Sequence, residues 1–405
     1  MGTQEYEADR TWPFVVAAYA FVATMVGTTL PTPLYDLYQR WLGFSPFTST
    51  MIYAVYALGV IVALLLFGHL SDAVGRRPVM LAALVLSAAS ALCFLDADGL
   101  PELFTGRTLS GLSAGLITGT ATVTVIELAP PRLRNASTLV ATVANLGGLG
   151  LGSLLAGVLA EWAPAPLRLV FVVDLVLVTL AAVGVLALPE TVRRTGRPPV
   201  RPERLRVPRD MRSTFVPAAM AGFAGFATLG LFTSVTPTFL LDVEGERDLA
   251  VAGGVVFSVF AASLGGQLLA QRLGIRRALP GGCALLVAGM AAIAGSLAAA
   301  SLPLLVFGAV VAGTGQGLSF HAAVRAVTRR SPAARRAEVT SALFVLMYLA
   351  ISIPVIGVGA LSVAVGVRTA GLIFTGCVAL LATATLLRLP RHGDLEERPV
   401  AHRGR

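Results

Sequence analysis

Lysine is absent from this 405-residue chain, and all 31 basic residues are arginines. A P-loop needs Gly-Lys-Ser/Thr, so no nucleotide site of that kind is encoded. Cysteine is scarce. Cys93, Cys283 and Cys377 each fall inside an apolar run and have neither metal-ligand spacing nor the pattern of a disulfide framework. The four histidines, at positions 69, 321, 392 and 402, are too scattered for a metal centre or a catalytic constellation, so neither an enzyme nor a cofactor is expected. Charge is thin as well: 13% of residues are Asp, Glu, Lys or Arg, against about 25% in a soluble globular domain. The net charge of +9 does not indicate nucleic acid, because the arginines sit in short loops between apolar runs rather than on one face or tail. The first ten residues carry Glu5, Glu7 and Asp9 rather than a basic start, which argues against a cleavable signal peptide.

What is present is apolar length. The chain is 56% hydrophobic, with mean hydropathy +0.79. Crossing a bilayer takes roughly 20 mostly apolar residues, and a helix satisfies its own backbone in lipid. Twelve such runs can be placed, at about 14–35, 48–70, 78–97, 101–126, 136–160, 167–188, 214–241, 249–271, 278–299, 302–325, 337–361 and 365–388. The expectation is an all-α membrane protein embedded in lipid. With both termini cytoplasmic, the outer loops hold only Arg40, Arg168, Arg247 and Arg368, and the inner loops and tails hold almost all the rest. Residues 189–212, rich in arginine and proline, cannot build a core and read as a cytoplasmic linker. They divide an N-terminal six-helix unit, 1–188, from a C-terminal one, 213–388, and 389–405 form a polar cytoplasmic tail.

Between the second and third runs lies Gly68-His-Leu-Ser-Asp72-Ala-Val-Gly75-Arg76-Arg77-Pro78. Topology explains the arginines but not the Asp72–Gly75 spacing. Gln267-Leu-Leu-Ala-Gln271-Arg-Leu-Gly274-Ile-Arg276-Arg277 echoes it in the second half, with Gln271 in place of the acid. The pattern resembles the loop signature between helices 2 and 3 of the major facilitator superfamily. That resemblance implies twelve transmembrane helices in two pseudo-symmetric six-helix bundles, rocking about one central site. It further implies that Gly68, Asp72, Gly75, Arg76 and Arg77 form a conformational latch, with Asp72 near the start of the eleventh helix and Glu127, at the end of the fourth, a partner for the arginines.

Two further stretches extend the resemblance. Arg107-Thr-Leu-Ser-Gly111-Leu-Ser-Ala114-Gly115 is similar to the family's fourth-helix signature and places a guanidinium about 9 Å into that span. Asn145-Leu-Gly-Gly-Leu-Gly-Leu-Gly152-Ser153-Leu-Leu-Ala156-Gly157 is similar to its proton-antiporter signature, with Ser153 where that pattern has proline. Ionisable groups within spans are few, and each is a functional hypothesis by default. The candidates for proton coupling are Asp36, Asp174 and His321. Asp36 is preferred because the first helix lines the pathway in the family resembled and the sixth does not. Asn145, Gln267, Gln316 and Tyr348 are candidate polar points on a central cavity. The resemblance thus implies a monomeric plasma-membrane carrier that exports a small apolar or amphipathic molecule against inward proton flow. The alternatives are proton-linked uptake of a neutral solute such as a sugar, and a non-transporting membrane sensor on the same scaffold.

Overall fold

The computed structural model describes residues 11–68, 70–192, 205–234, 239–240, 248–332 and 335–389. The acidic first ten residues, half of the linker and nearly all of the tail lie outside the described residues. Within them there are twelve membrane-length helices and no strand. The N-terminal half holds α1 (Trp12–Thr29), α2 (Pro46–Phe67), α3 (Arg76–Leu95), α4 (Leu100–Glu127), α5 (Ser137–Trp162) and α6 (Pro166–Leu186). The C-terminal half holds α7 (Arg212–Ser234), α8 (Leu249–Leu273), α9 (Ile275–Ala299), α10 (Leu302–Arg330), α11 (Arg336–Val365) and α12 (Val367–Arg388). After α1 the chain continues through a tight turn, Thr32–Leu34, into a short helix, Tyr35–Leu42. The first span is therefore longer than its hydropathy indicated.

The helix starts follow from local chemistry. Ser45 accepts a hydrogen bond from Thr48 N at 3.2 Å and is followed by Pro46, whose missing N–H is one that a first turn leaves unpaired anyway. Asp248 accepts from Ala250 N and Val251 N, at 2.7 and 3.1 Å, and so caps α8. Small residues then let the helices approach within each half. Gly111 of α4 lies on the Tyr56–Gly59 backbone of α2, and Gly148 and Gly152 of α5 lie on α1.

Alternate helices run in opposite directions, which defines two faces: one carrying the Asp72 loop, and the opposite one. The halves are joined from the middle of the molecule to that opposite face. Glu161 Oε2 accepts from Leu249 N at 3.0 Å, bringing the end of α5 onto the start of α8. Gly253 of α8 lies on the Ser153 carbonyl of α5, and Gly359 of α11 lies on Thr50 of α2. Ser352 Oγ donates to the Ala54 carbonyl at 3.1 Å, and Thr233 Oγ1 of α7 shares a 2.5 Å hydrogen bond with the Tyr53 hydroxyl of α2.

Candidate functional site

A central cavity of about 310 Å³ lies between the halves. Its far end is bounded by Thr32, Tyr53, Thr233 and Ile351, which border the contacts just described. From there it runs toward the Asp72 face past Thr122 and Thr142 of the N-terminal half and Phe320 and Phe344 of the C-terminal half. The structure places Asn145, Gln267, Gln316 and Tyr348 on its wall. Gln316 is held by Ser263, whose hydroxyl donates to its Oε1 at 2.5 Å. The remaining wall is aromatic, aliphatic or threonine, and many of its threonine hydroxyls donate to their own helix four residues back, as Thr118 and Thr122 do at 2.6 Å. Among the described residues of the wall, Arg107 is the one charged side chain.

Arg107 is 1% exposed. Its Nη1 donates to the Thr28 carbonyl at 2.8 Å, and its Nε donates to the Tyr35 hydroxyl. Its Cζ stands 5.2, 5.5 and 5.7 Å from the ring centres of Tyr35, Tyr53 and Tyr56. These ring faces stabilise a cation held away from water. Nη2 is buried and has no hydrogen-bond partner. The tyrosine cage was not foreseen from the sequence, although the spacing of Tyr53 and Tyr56 puts both on one side of a helix.

The three acid and histidine candidates do not share this cavity. Asp36 lies in the short helix at the opposite face, 13% exposed, and its carboxylate pairs with Arg40 one turn later at 2.8 Å. His321 is partly buried on α10 and is not on the cavity wall. Asp174 is 2% exposed, and its Oδ1 has no hydrogen-bond partner. It belongs to the buried stripe Val170, Phe171, Asp174, Val178, Ala181 and Val185 of α6, while Val172, Val176, Leu180 and Val183 face outward. Its carboxylate rests on α1 at Gly27, where a Cβ would stand 2.8 Å from both oxygens. Gly27 precedes Thr28, the residue that Arg107 holds from the cavity side. The first span lines the cavity and α6 does not, yet α6 turns its one acid inward, onto the back of a cavity-lining helix.

The Asp72 loop forms a second cluster. Arg76 Nη1 donates to Asp72 Oδ1 at 2.5 Å and to Ser71 Oγ at 2.7 Å. The other side of the guanidinium reaches Glu127, at 3.3 Å from Nη2 and 3.5 Å from Nε. Glu190, just past α6, accepts from the backbone N–H groups of Arg76 and Arg77 at 2.8 and 3.3 Å and caps α3. Gly75 makes that approach possible. Its φ is +112°, and a Cβ there would collide with the Glu190 carboxylate. Gly68 ends α2, and the Arg77 backbone N–H is that residue's part in the cap. These contacts all lie within the N-terminal half and the first residues of the linker. Asp72, 60% exposed, pairs with Arg76 rather than with the start of α11 that the resemblance suggested. Glu190 is the member of the cluster that the sequence did not disclose.

Similarity to known proteins agrees with this architecture. A model of the Major Facilitator Superfamily matches residues 14–296 and 266–404. A Klebsiella pneumoniae protein provisionally named multidrug resistance protein MdtD is 29% identical over 191 residues, 47% of this chain and 40% of that protein. Its Escherichia fergusonii counterpart is 29% identical over 188 residues, 46% of this chain and 39% of the relative. The chain therefore matches about two fifths of the length of these curated relatives. Among solved structures, a bacterial homologue of the lysosomal transporter Spinster, in an inward-facing and unoccupied conformation, superposes with TM-score 0.73 at 16% identity, over 96% of this chain and 98% of that one. A D-xylose–proton symporter superposes with TM-score 0.70 at 16% identity, over 93% and 97%. At those identities the likeness concerns the fold. With a family match spanning almost the whole sequence, twelve membrane-length helices and one cavity between two six-helix halves, the chain belongs to the Major Facilitator Superfamily of transporters.

Proposed function

We propose that this transporter is a monomeric, proton-coupled exporter of small amphipathic molecules in the plasma membrane, with both termini in the cytoplasm. The arginine asymmetry between loops supports that orientation and assigns the Asp72 face to the cytoplasm. The cavity then faces inward in this conformation, and the packing of α5 on α8 and α2 on α11 seals it from outside. In the outward-facing state that seal opens and the Asp72 face closes. Asp72 and Arg76, tied to α4 through Glu127 and to α6 through Glu190, act there as the latch. The names of the MdtD relatives support export of foreign compounds over sugar uptake.

The observation that carries proton coupling is the Asp174 carboxylate, buried without a partner against Gly27. An ionised carboxylate stranded in an apolar interior is costly. Gain or loss of one proton there therefore produces a large free-energy difference between arrangements of α6 and α1. Because α1 also holds Thr28 and Thr29 on the cavity wall, and the Thr28 carbonyl that Arg107 grips, a shift of α1 reaches the substrate site.

The test uses purified protein in liposomes with an internal pH dye and an imposed pH gradient. In the wild type, adding a transported compound moves protons, and the gradient drives its uptake into the liposome. Asp174→Asn loses gradient-driven transport and retains exchange of substrate, whereas Asp36→Asn keeps most of both. Unchanged proton-linked transport in Asp174→Asn would overturn the assignment, and wild-type transport indifferent to the gradient would remove proton coupling altogether.

A further inference from the structure

Among the described residues, the closed end of the cavity carries one cation and no anion. Arg107 is the single charged group among the described residues of the cavity wall, and its Nη2 is buried without an acceptor. The tyrosine rings around it stabilise the charge but give Nη2 no oxygen. A second orphan lies on the same wall. Thr32 Oγ1 is also buried without a hydrogen-bond partner, and Thr32 lies on the same cavity wall. Arg107 grips the chain on both sides of that residue, at the Thr28 carbonyl and the Tyr35 hydroxyl, so the guanidinium is tied to the bend of the first span that carries Thr32.

Buried polar groups in native structures are nearly always paired, and each exception calls for a reason. Here both unpaired groups can donate hydrogen bonds, one of them is cationic, and the residues that carry them line a space large enough for a small molecule. Beyond them the wall is Tyr, Phe, Leu and Thr, with Asn145, Gln267 and Gln316 as neutral polar points. Such a wall suits an apolar body. A polyanion would leave charge facing these apolar walls, and an organic cation would face Arg107 at close quarters.

We infer that the substrates of this carrier are amphipathic monoanions, an apolar body bearing one carboxylate or comparable acidic group, and that Arg107 and Thr32 receive the anionic end. The inference refines the exporter reading and relies on it only in taking the central cavity as the substrate site. Planar carboxylates match the guanidinium fork, and a charge-assisted hydrogen bond is stronger than a neutral one.

The test is equilibrium binding to the intact, detergent-purified chain, by calorimetry at pH 7, with the probes benzoate, 2-naphthoate and decanoate, each beside its own primary amide. Wild-type protein is expected to bind the best carboxylate about tenfold or more tightly than its amide, the factor expected of one charge-assisted hydrogen bond. Arg107→Gln removes that preference, Arg107→Lys keeps its direction with a smaller ratio, and Thr32→Val reduces it a fewfold. Helical content and monodispersity show whether each variant has folded, and the wild-type acid-to-amide ratio stands without any variant. Equal binding of acid and amide, binding of no carboxylate in the series, or an acid preference that survives in folded Arg107→Gln would each overturn the inference. Loss of proton-linked flux with acid-selective binding intact would remove proton coupling and leave this inference standing. Proton-linked flux without acid selectivity would do the reverse.

Discussion

Replacing Gly75 by alanine isolates what holds the Asp72 loop in place. Two costs are legible in the structure. At φ +112° and ψ 157° the residue lies in a region essentially reserved for glycine, at about 1–3 kcal/mol for any other side chain. The new methyl also enters the space of the Glu190 carboxylate, whose Cδ would be 2.7 Å away, and so disturbs the cap on Arg76 and Arg77, worth about 0.5–2 kcal/mol. Together the loss is about 2–5 kcal/mol, enough to lower the melting midpoint of the purified protein by on the order of 5 °C. The assay is thermal unfolding of four proteins: wild type, Gly75→Ala, Glu190→Ala and the double variant. In the double variant the clash is gone, and the backbone strain and the lost cap remain. The two substitutions should therefore be sub-additive, by the clash and by a cap lost only once. Wild-type stability in Gly75→Ala, or strict additivity in the double variant, would refute this reasoning.

Two other substitutions test neighbouring contacts. Arg76→Gln breaks links to both Asp72 and Glu127, and with the arginine largely buried it should cost about 1–3 kcal/mol in thermal unfolding. Asp72→Asn, at a 60%-exposed side chain, should cost under about 1 kcal/mol yet impair transport in liposomes with membrane insertion intact. Gly27→Val drives a side chain into the Asp174 carboxylate. Stability should fall by about 1–3 kcal/mol, and Asp174→Ala in that background should recover stability but not proton-linked transport.

How far these features can be read in the sequence depends on the solvent around each element. The twelve spans are legible because lipid demands long apolar helices, and the structure moves their ends by a few residues. Asn145, Gln267, Gln316 and Tyr348 stand out because a neutral polar group is unusual in such a run, and all four reach the cavity. Asp174 could not be oriented from its neighbours. In water, a helix facing solvent is polar on one side and shows its inner face by contrast, but α6 is apolar on both sides because lipid covers the outer one. Glu190 stayed hidden for a different reason. It lies 114 residues from Arg76, next to a proline where the chain leaves α6, and reads as the start of a linker. The cage around Arg107 joins tyrosines from the short helix Tyr35–Leu42 and from α2, a juxtaposition that only their close approach to α4 reveals.

The most direct test of the central claim, a cavity open to the cytoplasm and sealed at the other face, is sided labelling of one cysteine at Thr142. The native Cys93, Cys283 and Cys377 are first replaced by serine. Thr142 lies on the cavity wall near the Asp72 face, one turn from Thr138. With Thr142→Cys and no substrate, a membrane-impermeant thiol reagent should react rapidly in inside-out vesicles and slowly in right-side-out vesicles, with external labelling rising only during turnover. Rapid labelling from outside at rest, or equal labelling from both sides, would contradict the account.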